Sequence, residues 1–141
     1  MKGKRFAIVA ALVAVAALLV AQIPAQVKAG KERPLLTKSW MSGVNQPHCA
    51  RLGEILKAGP STEAEWAEAA RHAEILNESG HVLMADSRCP DKAWADASTQ
   101  LREGAAAVLT AIEAKNASSA REAFSGQLLK SCGSCHKAHK K

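Results

Sequence analysis

Four stretches of this chain repeat apolar or small residues at alternating steps of three and four, and none alternates with period two over the length of a strand. Such spacing lays one continuous stripe along an α-helix. In the first stretch the stripe is Leu36, Trp40, Met41, Val44, His48, Leu52 and Ile55, with Pro34 suited to a first turn and Gly59-Pro60 as the stop. Pro47 lies inside it, where proline lacks a backbone donor and crowds the preceding turn, so a kink or a late helix start is expected there. The second stretch opens on Thr62-Glu63-Ala64-Glu65, the form of a capping box, and carries Trp66, Ala69, Ala73, Leu76, Gly80 and Leu83. His72 and His81 fall off or at the edge of this stripe and read as solvated imidazoles. After the loop Asp86 to Asp91, the third stretch carries Trp94, Ala97, Leu101, Ala105, Val108 and Ile112. Asn116 to Ser119 interrupts the rhythm, and Ser119 to Glu122 has capping-box spacing for a fourth helix through Phe124, Leu128, Ser131 and Cys135. Four amphipathic helices of about 20 residues on short connections predict an all-α, antiparallel up-down four-helix bundle. In that topology the end of the fourth helix lies beside the start of the first.

The N-terminus reads differently. Met1 to Arg5 is short and basic, Phe6 to Ala21 is an apolar run, and Val27-Lys28-Ala29 offers small-residue cleavage before Gly30. Residues 1–29 are therefore predicted to be a secretory signal peptide, and 30–141 a single small domain exported to the periplasm. The apolar run falls short of the roughly 20 residues needed to span a bilayer; left uncleaved and counted on to Ile23, it would tether the chain to a membrane. The leader holds Lys2, Lys4, Arg5 and Lys28 and no acid, so the rest keeps 15 of the 19 basic side chains against all 13 acidic ones, a net of +2. With no long basic stripe and no aromatic platform, nucleic-acid binding has no support.

The chemistry sits near the C-terminus, in Cys132-Gly133-Ser134-Cys135-His136. Cys-x-x-Cys-His is the attachment sequence for a c-type haem. Two thiols one helical turn apart can add to the two vinyl groups of one porphyrin, and the following imidazole can reach the iron. An exported chain meets the compartment where this attachment occurs. The competing readings are a structural zinc held by Cys132, Cys135, His136 and His139, which would draw all its ligands from one segment against the usual habit of two, and a thioredoxin-type dithiol, which would need a preceding strand.

In its export signal, four helices and C-terminal Cys132-Gly-Ser-Cys135-His136, the chain resembles the class II cytochromes c, the cytochrome c-prime family, over most of Leu35 to Lys141. The resemblance implies thioethers at Cys132 and Cys135, His136 as proximal iron ligand, and haem c near the end of helix 4. It implies either a methionine early in the first helix as sixth ligand or an apolar residue there and an iron open to small gases. Met41 stands where that methionine would be, followed by Gly43 and Asn45. A thioether ligand raises the reduction potential. His48 is the competing distal ligand, about 10 Å further up the axis at 1.5 Å per residue. Cys49 and Cys89 are left over, and an oxidising compartment invites a disulfide between them. Closing a loop of about 40 residues would contribute roughly 4 kcal/mol. In a straight bundle, however, Cys49 lies about 20 Å from the level of Cys89, so only a late start at Pro47 would join them.

No acid–base pair or nucleophile constellation points to an enzyme. The reading is a periplasmic mono-haem electron carrier, with five-coordinate gas binding (NO or CO) and a zinc-stapled helical interaction domain as alternatives. Lys130, Lys137, Lys140 and Lys141 around the motif suit acidic periplasmic redox proteins as partners; a homodimer, as in some relatives, is also compatible.

Overall fold

The computed structural model describes Gly30 and residues 32–140, so the predicted leader lies outside the described residues. Among these the chain is all-helical, with four helices and no strand. No described helix is long and apolar enough to cross a membrane.

Helix α1 runs without a break through Thr37–Trp40, a π-helical turn Met41–Asn45, and Gln46–Ala58. The π-turn answers the difficulty posed by Pro47. Its ring would crowd the carbonyl four residues back, at Gly43, and it has no N–H for that carbonyl. Widening the turn moves the partner to the next residue, and the Gln46 N–H bonds the Met41 carbonyl. The helix consequently starts at Thr37, not late at Pro47, and ends where Gly59 takes φ 85°, a left-handed value that glycine adopts at no steric cost.

Helix α2, Glu63–Val82, begins with the expected capping box: Thr62 Oγ1 accepts from the Glu65 N–H at 3.2 Å and Glu65 Oε2 accepts from the Thr62 N–H at 3.0 Å. Helix α3, Lys92–Glu113, is capped by Asp91, whose Oδ1 accepts from the Trp94 N–H at 2.9 Å. Helix α4 comprises Ala117–Ala123, a second π-turn Phe124–Leu128, and Leu129–His139. It opens three residues earlier than its sequence suggests. Asn116, expected to interrupt, is the cap, with Oδ1 accepting from the Ser119 N–H at 3.0 Å.

The core follows the predicted stripes: Ala69, Ala73 and Leu76 from α2, Trp94, Ala97, Leu101, Ala105, Val108 and Ile112 from α3, and Leu128 and Cys135 from α4 are all buried, while Trp66 and Phe124 pack against them half-buried. Helix α1 differs along its length. Leu52, Ile55 and Leu56 are buried, but Trp40, Met41, Val44 and His48 are only half-buried and Leu36 is exposed. The buried half of α1 meets the beginning of α4, where Arg121 Nη1 donates to the Leu56 carbonyl at 3.2 Å.

The backbones of α3 and α4 approach closely at Gly104 of α3. A Cβ there would stand 2.8 Å from the Leu128 nitrogen and 2.9 Å from its Cα. Only glycine fits.

The loop between α2 and α3 fixes the other end of the molecule. Arg88, 1% exposed, donates to Thr37 Oγ1 at 3.2 Å and to the carbonyls of Arg33 at 3.1 Å and Leu35 at 2.8 Å. A buried guanidinium is costly unless its donors are met; here Nη1 and Nη2 tie down the entry to α1, while Nε has no hydrogen-bond partner among the described residues. Trp94 Nε1 donates to the Leu83 carbonyl at 2.8 Å, joining the end of α2 to the start of α3.

Candidate haem-attachment site

Cys132, Cys135 and His136 stand in the last turns of α4. Cys135 is buried, Cys132 half-buried, and His136 exposed. The two thiols face inward one turn apart, as a helix requires of residues three apart, while a Cβ on Gly133 would meet nothing within 4 Å. The end of α4 is docked on the start of α3: the rings of His139 and Trp94 lie edge to face at 5.2 Å, and His139 Nε2 is 3.5 Å from Asp91 Oδ1. His139 is thus engaged with Trp94 and Asp91, and among the described residues no group of three or more His, Cys, Asp or Glu side chains is placed to hold a metal ion.

The described cysteines carry no disulfide. Cys49 and Cys89, whose bridge would have required a late helix start at Pro47, are both free thiols: α1 starts at Thr37 and carries Cys49 about 18 Å along its axis. Cys89 instead points its thiol at the Asp91 carbonyl, 3.3 Å away. Cys49 lies against Cys132. The hydrogen bond between these thiols holds Cys132 down at about 7, while the same contact, with burial, raises Cys49 well above its ordinary value. Cys135 is raised to about 11, chiefly by burial and then by the neighbouring Cys132.

His136 is lowered by burial first and by the Lys140 charge second. The shift favours the neutral imidazole, which is the form that ligates a metal.

The Cys49–Cys132 contact sets the register between α1 and α4. From it, His136 lies four residues on, about 6 Å along the α4 axis, and Met41 lies eight residues back, about 12 Å along the α1 axis. The Arg88 anchor at the start of α1 and the His139–Asp91 contact at the end of α4 put both displacements toward the same end of the molecule.

Met41 is half-buried, and its sulfur accepts a hydrogen bond from Asn45 Nδ2 at 3.3 Å. Asn45 Oδ1 in turn accepts from the Ser79 hydroxyl, which accepts from Trp40 Nε1 at 2.7 Å.

His48 is committed elsewhere. Its Nδ1 lies 2.7 Å from Nδ1 of His72, with ring centroids 4.9 Å apart. Glu68 lies 3.8 Å from the far nitrogen of His72 and also receives Arg51 at 2.8 Å. His72 is lowered by burial, then by the facing His48. It is therefore an interhelical partner and not the solvated imidazole its position off the stripe suggested, whereas His81 is exposed as expected, with Arg102 Nη1 3.3 Å from its Nδ1.

Sequence reasoning gave no role to Asn45 or Ser79. The available signal was Ser79 itself, a hydroxyl on the buried side of α2 between Leu76 and Leu83, which a fully buried position obliges to find partners.

The donor set fits a covalent haem: two inward thiols one turn apart, an imidazole with no hydrogen-bond partner among the described residues, and a thioether on the facing helix. The thiol face itself is closed by the packing of Cys49 and Cys132. Two surface depressions among the described residues, one against Ala107, Ala111 and Gln127 and the other against Arg51, Ile55 and Glu65, are lined by none of the motif residues. Comparison of the chain with models of known protein families, with curated proteins and with solved structures finds no match.

Proposed function

We infer that this is an exported mono-haem c-type cytochrome of the class II kind that carries electrons, built as an antiparallel up-down bundle with the haem between the end of α4 and the first half of α1. The observation that carries the reading is the Cys132-Gly133-Ser134-Cys135-His136 sequence in the last turns of an inward-facing helix, with Met41 at the same end of the molecule. The half-buried run Trp40, Met41 and Val44 supports it, because this is the part of α1 whose stripe the four helices leave partly uncovered.

Haem c, when bound, supplies a one-electron ferric–ferrous couple. The chain's residues do the rest. Cys132 and Cys135 would hold the porphyrin as thioethers, and His136 and the Met41 sulfur would ligate the iron. His48 is the weaker candidate because ligation would break its bond to His72. A thioether favours the ferrous state and so raises the potential. Lys130, Lys137 and Lys140, all exposed, give the surface around the motif a positive field that attracts acidic redox proteins of the periplasm.

The test is the optical spectrum of protein made with the c-type haem attachment machinery, oxidised and reduced, for wild type and Met41→Ala. Sharp low-spin reduced bands, with a weak sulfur-to-iron band at the red end of the oxidised spectrum that the mutation abolishes, are the expected result. High-spin bands untouched by the mutation, with ready carbon monoxide binding, would transfer the protein to the gas-binding reading. A chain that takes up no covalent haem but binds zinc would refute both.

A further inference from the structure

The polarity of the hydrogen bonds that end on Met41 is fixed by their first member. An indole N–H can only donate, so the Ser79 oxygen must accept from Trp40 at 2.7 Å. The Ser79 proton is then directed to Asn45 Oδ1. That contact decides which way the Asn45 amide faces, a choice that is otherwise ambiguous for asparagine. With its oxygen held by Ser79, the amide nitrogen is turned to the Met41 sulfur, 3.3 Å away. Ser79, at the centre of this path, is fully buried, while Trp40, Asn45 and Met41 are half-buried. The π-turn Met41–Asn45 supplies the backbone for it: both residues of the sulfur contact belong to the one wide turn that Pro47 imposes on α1.

We propose that Asn45, oriented by Ser79 and Trp40, is a positioning residue that fixes which lone pair of the Met41 sulfur is presented to the haem iron and tunes its donor strength. The proposal rests on the reading of Met41 as an iron ligand. A thioether sulfur has two lone pairs, and only one is free for a metal when the other accepts a hydrogen bond. Blocking one of them leaves a single configuration at sulfur in which Met41 can ligate. The same bond draws electron density from the sulfur, which weakens its donation to the ferric iron more than to the ferrous iron and so raises the potential. His48 has no corresponding device, since its Nδ1 faces another imidazole.

The experiment uses the haem-loaded full chain in wild-type, Asn45→Leu and Ser79→Ala forms, with the reduction potential and the NMR haem-methyl pattern of the oxidised protein as readouts. Asn45→Leu removes the donor; Ser79→Ala leaves the amide and removes only its anchor, so it carries the test if the first variant does not fold. The expected result is one set of haem-methyl resonances in wild type and broadened or doubled sets in both variants. The potential falls in Asn45→Leu by up to tenfold in the oxidised-to-reduced ratio, about 59 mV for one electron, and by less in Ser79→Ala. If wild type lacks the sulfur-to-iron band, Met41 is not a ligand and the parent reading fails with this one. If wild type has the band and both variants keep its potential and its single methyl set, Asn45 has no such role while the ligand assignment stands.

Discussion

The contact of Gly104 with Leu128 sets two effects of known size against each other. Replacing a helix-interior glycine by alanine gains about 1 kcal/mol through backbone entropy. At Gly104 the new methyl carbon would stand 2.8 and 2.9 Å from backbone atoms of Leu128 and 3.2 Å from the Gln127 carbonyl carbon. Backbone cannot rotate aside as a side chain can, so α3 and α4 must separate, and overpacking of this kind costs about 1–3 kcal/mol. The upper end of that range applies, because the obstruction is a helix backbone on each side. Gly104→Ala is therefore expected to destabilise by about 1–2 kcal/mol after the entropy gain is subtracted. Gly126, in the π-turn that faces Gly104, is the control: a Cβ there would meet nothing within 4 Å. Gly126→Ala should stabilise, by up to about 1 kcal/mol. Urea denaturation followed by far-UV circular dichroism measures both, with the slope checked for constancy. A Gly104→Ala protein as stable as wild type at unchanged slope would refute the claim that the two helices meet backbone to backbone.

Thr62→Ala removes the capping box of α2 and should cost about 1 kcal/mol in the same assay. Glu65 is held down to about 2 by the Ser61 and Thr62 backbone donors, so its contribution is complete above the ordinary carboxylate value and disappears as pH falls through 2; Glu65→Ala should flatten that part of the acid-unfolding profile. His72 is likewise lowered in the folded state, so its contribution is present above its ordinary value of 6.5 and is lost as pH falls below it. Melting temperatures between pH 8 and 5 should drop less in His72→Gln than in wild type, and an equal drop would show that the His48–His72 pair is not the cause. In haem-free protein, alkylation should label Cys132 first, with a rate that climbs through pH 7, while Cys135, raised to about 11, reacts slowly at that pH. Peptide mapping that finds Cys135 labelled first would contradict the thiol contact.

The stripes of α2, α3 and α4, the second half of the α1 stripe and the Thr62 cap are local facts of composition and spacing, and they hold in the fold because each depends on residues within a turn or two of one another. A helical period commits a residue to a face whatever the neighbour is, which is why Ala69, Trp94, Leu101 and Leu128 could be assigned to the core before any packing was known. The same locality explains the errors. Pro47 disturbs the helix as its chemistry requires, but whether a helix kinks, starts late or widens to a π-turn depends on what holds its first residues. Here the holding group is Arg88, some fifty residues away in sequence. The pairing of thiols and imidazoles is likewise a matter of register between helices. Cys49 meets Cys132 and not Cys89, and His48 meets His72, because α1 begins at Thr37 and lies against both α2 and α4. Sequence by itself determined the helices, most of their buried faces and the residues proposed to attach a haem. Only the tertiary structure decided which side chains from different helices share a contact, since that depends on axial offsets of a few ångströms that no spacing along one helix encodes.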